Sequence, residues 1–180
     1  MNIAVIAGSN RKNATSTQLC RYIVKQLEEK GCQTKLFDLY AKPLPFYCPD
    51  EEQADENVRA LLRTLAEADG IILATSEYHG SITGVLKNAL DFAGFDQFDG
   101  KIVLSVSSAG GAVGVSSLQH LQTIVRNVHG INCPEWISIG GAQREFTPEG
   151  EPKDGKTKER VLRTLNYFTS MIAAFRGNAS

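Results

Sequence analysis

Ile3-Ala4-Val5-Ile6-Ala7 runs directly into Gly8-Ser9-Asn10-Arg11-Lys12-Asn13-Ala14-Thr15-Ser16-Thr17, and a helical period starts near Gln18. A short apolar run bounded by turn residues reads as a buried strand. A strand that empties through a hydroxyl-rich loop into a helix is an anion cradle. The loop N–H groups and the positive end of the helix dipole favour negative charge, the hydroxyls of Ser9, Thr15, Ser16 and Thr17 donate hydrogen bonds, and Arg11 adds charge. The plainer alternative is a helix cap rich in serine and threonine, which satisfies the backbone alone.

Outward from this unit, apolar runs alternate with helical periods to the end of the chain, the pattern of a parallel sheet covered by helices on both faces. Strands are expected at Ile3 to Ala7, Gln33 to Asp38, Ile71 to Thr75, Ile102 to Ser107 and roughly Glu135 to Ile139, with Pro134, Glu135 and Trp136 opening the last one at a sheet edge. Between them lie the stripes Leu19, Cys20, Ile23, Leu27; Val58, Leu61, Leu62, Leu65; Val85, Leu86, Ala89, Leu90; and Leu118, Leu121, Ile124, Val125, Val128. Val161, Leu162, Leu165, Phe168, Ile172 and Phe175 make a fifth. Five strands suit a three-layer α/β sandwich of flavodoxin type, a parallel sheet in the order 2-1-3-4-5 with helices on both faces, better than a dinucleotide Rossmann sheet.

The chain has 180 residues, 42% hydrophobic and 22% charged, with a net charge of −1. That fits a single domain over 1–180 and argues against a broad nucleic-acid surface, which would leave a basic surplus. No basic and apolar leader opens the sequence and no apolar run approaches the roughly 20 residues of a membrane helix, so a cytoplasmic protein without membrane contact is expected. Cys20, Cys32, Cys48 and Cys133 show neither zinc-ligand nor redox-pair spacing; no metal site is expected, and Cys20 and Cys133 read as packing residues.

In a 2-1-3-4-5 sheet the loops after the first, third and fourth strands meet at one rim. They are Ser9 to Thr17, Ser76-Glu77-Tyr78-His79-Gly80-Ser81, and Ser107-Ser108-Ala109-Gly110-Gly111-Ala112-Val113-Gly114. All are rich in small or polar residues, which suits a flat, polar-edged ligand. Over nearly its whole length the chain resembles the NADPH-dependent FMN reductases, a flavodoxin-like family that includes azobenzene and quinone reductases. Gly8-Ser9-Asn10-Arg11 is similar to the family's phosphate loop. The run from Glu77-Tyr78-His79-Gly80-Ser81 through Asp91 resembles its Pro-Glu-Tyr-Asn motif and following helix, and Gly110-Gly111 matches its third loop.

The resemblance implies FMN as cofactor and NADPH as donor. It places the phosphate at Ser9, Arg11, Thr15, Ser16, Thr17 and Gln18, and the ring against Ser76, Glu77, Tyr78, His79, Gly80 and Ser81 on one side and Ser108, Ala109, Gly110 and Gly111 on the other. No side chain is required as a catalytic acid, base or nucleophile, because the chemistry belongs to the flavin N5. Hydride would pass from NADPH to the flavin and on, by ping-pong exchange, to a small-molecule acceptor such as an azo compound, a quinone or free flavin, with Phe46 and Tyr47 shaping the acceptor pocket. Ser76 replaces the usual proline and His79 the usual asparagine, which implies a more flexible or differently hydrogen-bonded loop. Ala14 stands where many members have serine.

Other readings compete at single residues. Glu77 is a dipole partner rather than a general base; Tyr78 stacks on a ligand or packs against a subunit; His79 tunes the flavin or is solvated. His120 and His129 are expected at the surface or an interface. Lys87 and Asp91 form a local i,i+4 ion pair. Phe92, Phe95 and Phe98 exceed one buried stripe, so this helix and its tail are expected to form a subunit interface in a homodimer or homotetramer. The rival functions are an FMN-binding electron carrier without nucleotide activity, disfavoured by the near-neutral charge, and a Rossmann enzyme using Asp38, disfavoured because Asn10 and Asn13 stand where glycines are needed. A P-loop is excluded, since no Gly-Lys-Ser/Thr follows the first strand.

Overall fold

A computed structural model describes residues 1–51 and 55–177. The elements run β1 (Asn2–Gly8), α1 (Thr15–Glu29), β2 (Gln33–Asp38), α2 (Glu56–Ala66), β3 (Gly70–Ser76), α3 (Gly84–Asp91), α4 (Phe95–Phe98) and β4 (Ile102–Ala109). Then follow α5 (Val115–Asn127), β5 (Ile131–Asn132), β6 (Ile137–Gly140), a 3-10 turn (Gly141–Arg144) and α6 (Gly155–Gly177). The strand order is β2-β1-β3-β4-β5, with β6 also on β4, and every pair is parallel. This is the flavodoxin-like order expected from the sequence.

Strand alternation divides the core. Ile3, Val5, Ile72, Ala74, Leu104 and Val106 face α1 and α6, meeting Leu19, Ile23, Leu27, Val161, Leu165 and Phe168. Ala4, Ile6, Ile71, Leu73 and Val103 face the opposite layer, meeting Leu61 and Leu65 of α2, Leu86 and Leu90 of α3, and Leu121 and Val125 of α5. Each buried Leu or Ile contributes about 1.5 to 3 kcal/mol, so these two seams hold the layers together. Cys20 and Cys133 are buried, and burial pushes the Cys20 thiol up to about 12 and raises Cys133, as expected of packing residues.

Several elements depart from the sequence reading. Pro134, Glu135 and Trp136 lie outside any strand: the edge strand is broken, pairing Ile131–Asn132 with Ile102–Val103 and resuming only when Ile137 meets Val106. Proline cannot donate to the ladder, and the chain detours around it. Phe175 is exposed, and Leu62 and Ile124 are only half-buried. The aromatic tail of α3 is mostly spent within the chain. Phe98 is buried against the α2 layer, Phe92 packs edge-on to Tyr47 at 5.2 Å, and only Phe95 is exposed, stacked on His129 at 4.2 Å. The aromatic excess therefore does not by itself mark an interface. Lys87 and Asp91 make the expected pair at 2.6 Å. Among the described residues no helix is long and apolar enough to cross a membrane.

Candidate functional site

At the carboxyl ends of β1, β3 and β4 a cleft of about 240 Å³ is lined by Arg11, Ala14, Thr15, Ser76, Glu77, Tyr78, Ser108, Gly110 and Arg144. Topology forces this meeting: β1, β3 and β4 are neighbours, and Gly8, Thr75, Ser76 and Ser108 end the ladders at one level. The three loops singled out in the sequence thus form one wall.

The first loop is held by its own polar groups. Arg11 N–H donates to Ser9 Oγ at 3.2 Å, Ala14 N–H to the Arg11 carbonyl at 3.2 Å, and Gln18 Nε2 to the Asn13 carbonyl at 3.0 Å. Asn13 takes a left-handed φ of 53°, which its short amide tolerates. Ala14 precedes α1, and among the described residues no side chain caps that helix, so the Thr15, Ser16 and Thr17 N–H groups have no side-chain acceptor. Thr17 Oγ1 is buried without a hydrogen-bond partner. Arg11 is exposed, and no carboxylate pairs with it among the described residues. An uncapped helix start and an unpaired arginine at the cleft suit a phosphate dianion.

The second loop is tied to its neighbours. Ser76 Oγ lies 3.1 Å from Ser16 Oγ, and Glu77 N–H donates to the Ser108 carbonyl at 2.9 Å. Buried Thr83 caps α3 by accepting from Leu86 N–H at 3.2 Å and donates to the Gly8 carbonyl at 2.6 Å, while its own N–H donates to Thr75 Oγ1 at 3.0 Å. Tyr78 and Ser81 exchange both backbone hydrogen bonds, at 3.0 and 3.1 Å, around His79 (φ 53°) and Gly80 (φ 72°). Two positive φ angles in a two-residue turn explain why asparagine is usual at position 79 and why histidine, among the residues that enter this region most readily, can replace it. The loop is a closed turn rather than a loose one.

Glu77 Oε2 accepts from Ser117 N–H at the start of α5 at 3.0 Å, the dipole-partner role. The third loop is braced where Ser107 Oγ donates to the Gly114 carbonyl at 2.9 Å and Gly114 N–H donates to Ser138 Oγ at 2.9 Å.

Of the sequence-derived site residues, Arg11, Thr15, Ser76, Glu77, Tyr78, Ser108 and Gly110 line the cleft. Ser9, Ser16 and Gln18 brace the loop instead, Thr17 lies buried in the first turn of α1, and His79, Gly80, Ser81, Ala109 and Gly111 lie outside the lining. His120 is exposed, as expected, with its Nδ1 2.9 Å from Ser81 Oγ. Sequence reasoning misses one residue of the lining. Arg144 enters from the turn after β6 and carries no local signal in the sequence.

Sheet order and rim cleft define a flavodoxin-like α/β protein with an anion-receptive mouth. A family model for NADPH-dependent FMN reductase matches residues 1–144. The chain belongs to that family of oxidoreductases, whose cofactor is FMN and whose electron donor is NADPH. An FMN-dependent NADPH-azoreductase of Staphylococcus aureus (strain USA300) is 35% identical over 180 residues, covering 97% of this chain and 95% of that protein. Among solved structures, the flavoenzyme NAD(P)H:(acceptor) oxidoreductase FerB of Paracoccus denitrificans superposes with a TM-score of 0.82 at 24% identity, over 97% of this chain and 98% of that one. An archaeal flavodoxin gives 0.66 at 14% identity, over 94% and 98%.

Proposed function

We propose that the rim cleft holds FMN and that the chain, acting as one domain over 1–180, passes electrons from NADPH to an azo compound, a quinone or a free flavin in ping-pong order. The observation that carries this reading is the start of α1, which has no side-chain cap, at a cleft lined by Arg11 and Thr15. When bound, FMN supplies the redox chemistry, accepting hydride from NADPH and releasing electrons to the acceptor.

The chain's own residues do the rest. Arg11, Thr15 and the first-turn N–H groups of α1 hold the phosphate; such charge-assisted bonds contribute about 1.5 to 3 kcal/mol each. Ser9, Ser16 and Gln18 keep that loop in shape. The Ser76 to Ser81 turn and the Ser108 to Gly111 loop flank the ring with backbone donors, and Tyr78 closes the mouth. Phe46, 91% exposed, stands on a segment clamped by Asn88, which donates to the Pro45 carbonyl at 2.8 Å and accepts from Tyr47 N–H at 2.9 Å. Phe46 and Tyr47 stand outside the cleft lining, and an exposed aromatic on a braced segment suits flat acceptors such as an azo compound.

A homodimer or homotetramer belongs to the same reading. Its support is a mainly apolar groove of about 460 Å³ lined by Ser81, Ile82, Lys87, His120, Thr123 and Ile124, directly beside the second loop. A cytoplasmic setting is proposed because that is where NADPH is supplied. In an anaerobic cuvette, NADPH bleaches the yellow FMN-loaded protein and an added quinone restores the colour, with parallel double-reciprocal plots in the steady state. FMN binding without bleaching would instead identify an electron carrier.

A further inference from the structure

Resting on the reading that the cleft holds FMN, we propose that Arg144 is a cofactor-contacting residue that favours the reduced over the oxidised flavin by supplying positive charge at the ring end of the site.

Arg144 ends the 3-10 turn after β6, outside the three loops by which the site is recognised. Ala109 of β4 is in register with Gly140 of β6, so both chains leave the sheet side by side. They are pressed together: a Cβ on Gly140 would lie 2.2 Å from the Gly111 carbonyl oxygen and 2.3 Å from that of Ala112. Only glycine permits that approach, and the approach seats the turn against the third loop. Arg144 Nη1 accordingly stands 3.7 Å from where a Gly110 Cβ would be. The residue lines the cleft, and its Nε is buried with no hydrogen-bond partner. No carboxylate pairs with Arg144 among the described residues, and Glu77, the acidic residue of the lining, is engaged by Ser117 N–H. A buried guanidinium N–H without an acceptor is costly unless a ligand supplies one.

Its position selects the end of the ligand. From β1, whose loop holds the phosphate, to β6 the sheet advances across β3 and β4. At about 4.8 Å per strand that is roughly 14 Å, which leaves Arg144 on the flank opposite Arg11. Uptake of hydride brings two electrons and one proton to the flavin as NADPH becomes NADP⁺, so the reduced ring carries one negative charge until a second proton arrives. A fixed cation beside it favours the charged form and draws no proton from the protein.

The test compares wild type, R144Q and R144K by titrating oxidised and reduced FMN anaerobically and by measuring the midpoint potential of the bound flavin, with thermal melts of the apoproteins as a check on folding. R144Q is expected to weaken reduced FMN about tenfold more than oxidised FMN, a fall of about 30 mV for a two-electron couple, and R144K to recover most of it. An unchanged ratio in folded R144Q, including a variant that weakens both forms equally or that raises only the KM for NADPH, overturns the proposal. If R144Q does not fold, R144K must keep the wild-type ratio within about threefold while an uncharged R144M, purified with FMN present, loses it; equal ratios in the two overturn the proposal. Wild type that binds no FMN overturns both this inference and the function on which it rests, whereas normal FMN binding with an unchanged ratio overturns the inference alone.

Discussion

At the amino ends of the strands, Asp69 accepts the Asn2 N–H at 2.7 Å and pairs with Arg176, and Lys101 donates to the Leu65 and Ala66 carbonyls at the end of α2 at 2.6 and 2.7 Å. At the carboxyl ends α1 starts without a side-chain cap, and Thr17 Oγ1 and Arg144 Nε have no partner. Both rims carry a cleft of similar size, about 220 Å³ at the amino ends and about 240 Å³ at the carboxyl ends. Volume therefore does not tell them apart. The amino-end cleft is a gap between elements whose charges are spent, with Lys35 and Glu67 of its lining paired at 3.6 Å. The carboxyl-end cleft concentrates unspent donors, and left-handed residues at Asn13 and His79 hold the loops that carry them. Stranded polar groups cost about 1 to 3 kcal/mol each, a cost that an anion paired with Arg144 Nε would offset.

The largest expected effect comes from the brace beneath that rim. Thr83→Val removes the donor to the Gly8 carbonyl and the cap on α3, and at about 1 to 3 kcal/mol for each of the two stranded groups it should cost about 2 to 6 kcal/mol in urea unfolding. A loss well below 1 kcal/mol would mean the two loops do not depend on this residue. Next is Arg11→Ala, which removes a charge-assisted contact worth about 1.5 to 3 kcal/mol and should weaken FMN binding about 10- to 100-fold while leaving the melting temperature nearly unchanged.

Lys101→Met probes the other rim. Burial lowers the Lys101 pKa, but its ammonium closes the C-terminus of α2, so the substitution should cost about 1 kcal/mol of stability, discounted for partial exposure, and leave FMN affinity untouched. Weakened FMN binding in that variant would dissolve the contrast between rims. The smallest effects are at the tip of the second loop. Calorimetry should show His79→Asn within about 0.5 kcal/mol of wild type and His79→Val destabilised by about 1 kcal/mol, since a β-branched residue resists the left-handed region. Equal stability of the two would show that the turn relaxes.

The contrast also marks what the sequence can reveal. β1, β3 and β4 are continuous apolar runs because both faces of each are buried, and such runs are visible without a structure. The broken edge strand is not visible, because Ile131–Asn132 is too short to carry a pattern and Pro134 reads as a strand opening rather than an interruption. α4 escapes for a similar reason: at four residues it has no period to detect. In the site, loops that follow long strands are legible through their small and polar residues. Arg144 is not, because it sits in a long irregular stretch and reaches the cleft only through the packing of Gly140 on Gly111 and Ala112. Nor can local sequence distinguish Ser16, which braces Ser76, from Thr17, whose hydroxyl is left unpaired.

Hydrogen exchange read by mass spectrometry, with and without saturating FMN, tests most directly the claim that the carboxyl rim is the cofactor site. Peptides covering Ser9 to Gln18, Ser76 to Ser81, Ser108 to Gly111 and Arg144 should slow, while those covering Gln33 to Lys35 and Thr64 to Ala68 keep their rates. Protection centred on the amino-end peptides, or none at either rim, would overturn that claim.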